Sequence, residues 1–251
     1  DEVLPLAEGN LAITSDSRLD NRAELLEQLG LSIEALGTCP DSQLILEAYR
    51  KWGEATPRYL VGDFAFVISD TLEGKLFCAR DQIGIRQLYY HQSDNLIVIS
   101  NEISCILSHP LFPRELNQGS IAGFMVHGEV RDQEATFFES LLSLPAAHTL
   151  TCTAENLEKT CYWRLEDTKE LTLQDSSTYV ERLRQLLERS VTDRLRSSYT
   201  ISSHLSGGLD SSTIAAIAAQ ALSKENKRLL AFNWNSKPED PEDPSSTEWM
   251  D

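Results

Sequence analysis

Hydrophobic positions recur with two different periods along this chain, and the changes of period mark its elements. Over residues 41–53, Leu44, Ile45, Ala48, Tyr49 and Trp52 fall at spacings of three and four, which predicts a helix with one buried stripe. Asp41 stands ahead of it as N-cap and Gly53 ends it. A shorter helix is predicted over 21–29, where Asn21 can cap, Glu24 stands three residues on as its capping-box partner and Gly30 follows as a stop. Residues 63–69 are aromatic and β-branched on both faces, residues 75–79 repeat the pattern, and Glu73-Gly74 supplies a turn. These features predict a hairpin buried on both sides. Residues 96–100 read as a further strand, 111–117 with Pro110 and Pro113 as connecting loop, and 141–153 as a late strand pair.

Acidic and hydroxyl residues gather over 166–177, then a long amphipathic helix begins with the capping box Thr178 and Glu181. It places Val180, Leu183, Leu187, Val191 and Leu195 along one face. Next come a strand over 200–205, a Gly-rich loop over 206–210, a helix over 211–222 and an apolar strand over 229–234, the crossover unit that builds a parallel sheet. The Pro- and acid-rich stretch 237–251 reads as loop or disordered chain. Two domains are expected, 1–165 and 166–251.

Composition narrows the partners. With 22 basic against 39 acidic residues, the net charge of −17 repels nucleic acid and anionic membrane surfaces, and so disfavours tRNA modification. The most apolar stretch, 213–222, is about half of the ~20 residues a membrane crossing needs. Cys39, Cys78, Cys105, Cys152 and Cys161 are far apart and odd in number, which indicates neither a zinc site nor a disulfide framework. A cytoplasmic setting is expected. A homodimer is left open.

The candidate chemistry lies in Ser206-Gly207-Gly208-Leu209-Asp210-Ser211-Ser212. A loop between a strand end and a helix start presents unpaired N–H groups and the positive end of the helix dipole, which bind anions. Gly207 and Gly208 let the backbone curl close to the anion, Ser206, Ser211 and Ser212 add hydroxyl donors, and Asp210 can hold a magnesium ion bridging phosphate oxygens. The Gly-Lys-Ser/Thr ending of a Walker loop is absent. The bland alternative is a plain turn with a capped helix. The seven residues resemble the signature of the PP-loop ATP pyrophosphatases, which cleave ATP between the α and β phosphates and activate a carboxylate or carbonyl as its AMP adduct.

Upstream, Gly62-Asp63-Phe64-Ala65-Phe66, the run from Ala79 to Tyr90, Ser100-Asn101-Glu102-Ile103 and Tyr162-Trp163 are similar to segments of the class B, glutamine-dependent asparagine synthetases. That resemblance implies a mixed fold, α/β and α+β. A partial αββα sandwich of the N-terminal-nucleophile type would be followed by the start of a parallel-sheet PP-loop domain, with the chain a fragment. Arg80, Asp81 and Arg86 are expected to brace strands and the domain interface.

The family's catalytic cysteine is the first residue of the mature protein, and this chain opens on Asp1 with no cysteine before Cys39. The family's Asn-Gly-Glu, which forms the oxyanion hole and binds the glutamine amino group, corresponds to Asp16-Ser17-Arg18. A carboxylate repels an oxyanion and a guanidinium repels an ammonium group. Asp41 matches a family acid that contacts the glutamine amino group, besides reading as a cap. The function implied is ATP-dependent amide-bond formation on a carboxylate, aspartate in the family, with Mg²⁺ and with ammonia or an amine as acceptor. Lasso-peptide cyclases and β-lactam synthetases, where the glutaminase domain is structural, are alternatives within that mechanism. A non-catalytic interaction remnant is the alternative outside it.

Overall fold

The structure, a computed structural model, describes residues 4–233 except 33, 35, 36, 38, 94 and 95. The stretch 237–251 therefore lies outside the described residues. The chain divides into two compact units, Asp1–Lys169 and Glu170–Asp251.

In chain order the first unit contains β1 (Leu6–Glu8), β2 (Leu11–Leu19), α1 (Arg22–Leu29), α2 (Asp41–Trp52), β3 (Gly62–Asp70), β4 (Lys75–Arg80), β5 (Tyr89–Ser93), β6 (Leu96–Ser100), α3 (Ile103–Leu107), α4 (Gln118–His127), β7 (Leu142–Ser143), β8 (His148–Cys152) and β9 (Leu157–Cys161). One antiparallel sheet has the order β1-β2-β3-β4-β8-β9 and a second the order β6-β5-β7. The late strands β7 and β8 therefore belong to different sheets.

Strand alternation explains why two sheets stack. On β3 and β4, Phe64, Phe66, Ile68, Phe77 and Ala79 point one way and pack with Leu25, Leu26, Leu44 and Ile45 of α1 and α2. Ala65 and Cys78 point the other way and meet Leu88, Tyr90, Leu144 and Leu150 between the sheets. Ile106 of α3, with Phe112 and Leu141, covers Tyr89 and Val98 on the far side of the second sheet. The layers run helix, sheet, sheet, helix. The hairpin is buried on both faces, as its residues predict.

The helix caps differ from the sequence expectation. Asn21 occupies the N-cap position of α1, yet its amide reaches across the unit: Nδ2 donates to Tyr59 O at 2.9 Å and Oδ1 accepts from Val61 N at 3.0 Å. Pro40, not Asp41, is the N-cap of α2, and Asp41 is the first helical residue. α4 has no counterpart in the sequence reading, because its apolar residues form no one-sided stripe and none of them is buried.

The second unit contains α5 (Ser176–Asp193), β10 (Ser202–Leu205), α6 (Leu209–Lys224) and β11 (Leu230–Asn233). α5 is capped by Asp175, whose Oδ1 accepts from Thr178 N at 2.8 Å, so the Thr178–Glu181 capping box does not form its start. Of its predicted apolar face Val191 is buried, while Val180 and Leu183 are exposed. β10 and β11 pair in parallel, from Ser202 opposite Leu230 to Leu205 opposite Asn233. That is the predicted strand, loop, helix, strand unit. Among the described residues no helix is long and apolar enough to cross a membrane.

Candidate functional site

The Ser206–Ser212 segment leaves the C-terminal end of β10 and enters α6 without a side-chain cap; Gly208 is the N-cap residue. Gly207 has φ +84°, a left-handed conformation that a Cβ would strain. Inside the loop Ser206 N donates to Ser211 Oγ at 3.2 Å, the two hydroxyls lie 3.0 Å apart, and Ser212 N closes the first helical bond onto Gly208 O at 3.2 Å. The backbone N–H groups of Gly207, Leu209, Asp210 and Ser211 find no acceptor among the described residues. Four free amides at a helix start, beside two hydroxyls, suit a polyanion such as the phosphates of ATP. Asp210 lies in the first turn of α6. Among the described residues no three His, Cys, Asp or Glu side chains gather to hold a metal. A magnesium ion here would be carried by Asp210 together with phosphate oxygens, the usual manner of binding for that ion.

In the first unit, Asp16, Ser17 and Arg18 lie on β2, opposite Ala65, Phe64 and Asp63 of β3. Asp16 and Arg18 share one face of the strand and Ser17 takes the other, where its hydroxyl lies 3.0 Å from Ser15 Oγ. Asp16 Oδ1 pairs with Arg86 Nη1 at 3.3 Å, and Arg18 Nε with Asp20 Oδ1 at 3.4 Å. Arg86 as the partner of Asp16 was not foreseeable from spacing, since 70 residues separate them.

Arg86 is held in place by its loop. Asp81, fully buried, accepts backbone N–H groups from Phe64 at 3.3 Å, Ile83 at 3.2 Å, Ile85 at 2.9 Å and Arg86 at 2.9 Å. The buried guanidinium of Arg80 donates to the carbonyls of Gly84 (2.8 Å), Arg86 (2.6 Å) and Leu144 (2.6 Å) and to Gln87 Oε1 (2.7 Å). An anion gathering amides and a cation gathering carbonyls thus fix both sides of the same loop. Burial pulls the Arg80 pKa down, and the Asp81 charge opposes that shift. Gly84, at φ +71°, is required here because a Cβ would stand 3.0 Å from Arg80 Nη2 and 3.1 Å from Ala146 Cβ. Tyr162 OH donates to Arg80 O at 2.7 Å, and burial pushes its phenol pKa up. The expected bracing role of Arg80, Asp81 and Arg86 within the first unit is seen.

Asp41 is neither exposed nor capping α2. Its Oδ2 accepts from Leu19 N at 3.0 Å and its Oδ1 from the Arg22 guanidinium, with both side chains buried. Arg22 also donates to Cys39 O at 2.6 Å. Asp41 therefore ties α2 to the end of β2 and the start of α1, a role its cap-like position in sequence conceals. Among the cysteines, burial raises the pKa of Cys78 and lifts that of Cys152 to about 11, which keeps both as thiols at neutral pH.

The glutamine amidotransferase domain family matches residues 4–163, and the asparagine synthase family matches residues 182–251. The chain is 30% identical over 218 residues to asparagine synthetase [glutamine-hydrolyzing] 3 of Bacillus subtilis, covering 87% of this chain and 35% of that protein. It is 29% identical over 236 residues to putative asparagine synthetase [glutamine-hydrolyzing] 2 of Methanocaldococcus jannaschii, covering 92% of this chain and 45% of that protein. Amidase chry2 of Gibberella zeae is 31% identical over 196 residues, 74% of this chain and 28% of that protein. The chain thus spans less than half the length of these curated relatives. With an amidotransferase domain ahead of an asparagine synthase segment, the chain belongs to the glutamine-dependent asparagine synthetase family.

Proposed function

We propose that this chain is part of an ATP-dependent amide ligase whose nucleotide site opens at the Ser206–Ser212 loop. The observation that carries the reading is the uncapped start of α6, where the free amides of Gly207, Leu209, Asp210 and Ser211 adjoin the Ser206 and Ser211 hydroxyls. These groups would hold the β and γ phosphates as the leaving pyrophosphate, and Asp210 would carry Mg²⁺ against them. ATP bound there would adenylate a carboxylate, aspartate in the family, and ammonia or an amine would displace AMP. The protein's own contribution is to seat the pyrophosphate so that charge building on it in the transition state meets prearranged N–H donors.

The first unit supports a refinement. With Asp16 paired to Arg86 and Arg18 to Asp20, the strand that supplies oxyanion donors and an ammonium site in the family presents an acid and a guanidinium, each engaged in its own ion pair. We read this unit as a scaffold and the amine as free ammonia or an amine other than one released from glutamine in this pocket. The test is product analysis by phosphorus NMR with the intact protein, aspartate or another candidate acid, and ammonia. AMP and pyrophosphate in equal amounts support the reading, while ADP and phosphate would refute it.

A further inference from the structure

α4 buries none of its residues, yet beside it lies a groove of about 430 Å³ lined by Ser120, Gly123, His127, Arg131 and Asp132 among others. That volume is within the range of small-molecule sites. Gly123 is not demanded by the fold: a Cβ there would meet nothing within 4 Å. Glycine inside a helix is nonetheless destabilising relative to alanine, so the open space at this position has no internal explanation.

The polar groups of the groove are complementary to one kind of ligand. Arg131 Nη2 lies 3.3 Å from His127 Nδ1. A guanidinium only donates, so Nδ1 accepts and the imidazole proton sits on Nε2, leaving that nitrogen a donor. The remaining Arg131 N–H groups, His127 Nε2–H and the Ser120 hydroxyl have no acceptor among the described residues. Asp132 Oδ1 takes Glu134 N at 2.9 Å, and its second oxygen remains available. The groove therefore sets a cationic fork with two further donors beside a carboxylate. A bare anion would meet Asp132 and a bare cation would meet Arg131, whereas a molecule carrying both charges satisfies both.

We propose that the α4 groove binds a free α-amino acid, its carboxylate on Arg131, His127 and Ser120 and its ammonium group on Asp132. The site lies wholly in the first unit and uses neither the Asp16 strand nor the Ser206–Ser212 loop, so it stands independently of the amide-ligase reading.

The test is a calorimetric titration of the chain with L-glutamine, L-aspartate and L-asparagine. For whichever of these binds, analogues lacking its amino group or its α-carboxylate are titrated alongside. The expected result is saturable millimolar or tighter binding of at least one amino acid, weakened tenfold or more in either analogue and in Arg131→Gln. Gly123→Leu, whose Cβ meets nothing within 4 Å and whose side chain is large enough to occupy the groove, also removes a helical glycine and should abolish binding while keeping or raising the melting temperature. Absence of saturable binding, equal binding of the half-charged analogues, or binding that survives Gly123→Leu would each overturn the proposal.

Discussion

Arg86 Nη1 stands 3.3 Å from Asp16 Oδ1, joining a loop clamped by Asp81 to β2, the strand proposed above to correspond to the glutamine-handling strand of the family. Both side chains are more than one-third exposed, at 36% and 38%, so the pair contributes little to stability, about 0–1 kcal/mol. Its consequence is chemical. An intact protein bearing this strand should form amide from free ammonia and release no glutamate from glutamine. Coupled glutamate dehydrogenase detection reads this directly, and robust glutamate release would show that Asp16-Ser17-Arg18 do not block the pocket.

The Arg22–Asp41 pair should behave in the opposite way. Both groups are buried, and Arg22→Met leaves the Asp41 carboxylate an uncompensated buried charge and takes the donor from Cys39 O, so it should destabilise by about 3–5 kcal/mol in urea unfolding. A loss as small as that of an exposed pair would contradict the buried geometry.

Leu44 is fully buried against the β3–β4 hairpin. Leu44→Ala should cost about 2–5 kcal/mol, measured by the same unfolding experiment, through lost transfer energy and the cavity left behind. An unchanged midpoint would mean that α2 turns another face to the sheet.

Asp175 caps α5, and hydrogen bonds from Ser177 and then Thr178 hold its carboxyl below the usual carboxylate range. A depressed folded pKa gives stability that is present above the unfolded value of about 4 and is lost as pH falls through the folded one. Circular dichroism should therefore show α5 fraying on acidification below that value, and Asp175→Ala should remove the effect while Thr178→Ala, which leaves the N–H, should not.

How much of this was legible beforehand follows from the range of each interaction. The α2 stripe and the two-faced β3–β4 hairpin are encoded in local periodicity, and both appear where the residues put them. The strand, loop and helix at Ser206–Ser212 are equally local. A carboxylate at a helix start commonly caps it, but Pro40 holds the cap position of α2 and the Asp41 carboxylate is taken by the buried Arg22 guanidinium and Leu19 N, partners that local sequence does not reveal. Asp175 and Thr178 are both cap-competent and stand three apart, so local sequence does not choose between them, and the helix starts at the earlier one. The Asp16–Arg86 contact joins positions 70 apart and no pattern in sequence announces it. α4 has no signature in the sequence, because its apolar residues and glycines present no amphipathic stripe.

The central claim is that the start of α6 is a pyrophosphate seat served by Asp210. It is tested most directly by isotopic exchange of pyrophosphate into ATP in the intact protein, comparing the native enzyme with Asp210→Asn. Asp210 is exposed in the first turn of α6 and does not cap it, so Asp210→Asn gives up only a charge near the helix N-terminus, about 0.3–1 kcal/mol, and the fold should hold. Losing the metal-bearing carboxylate should remove most of the exchange, by roughly the 100- to 1,000-fold typical of a lost electrostatic contact in a transition state. Exchange at the native rate in Asp210→Asn would contradict the account.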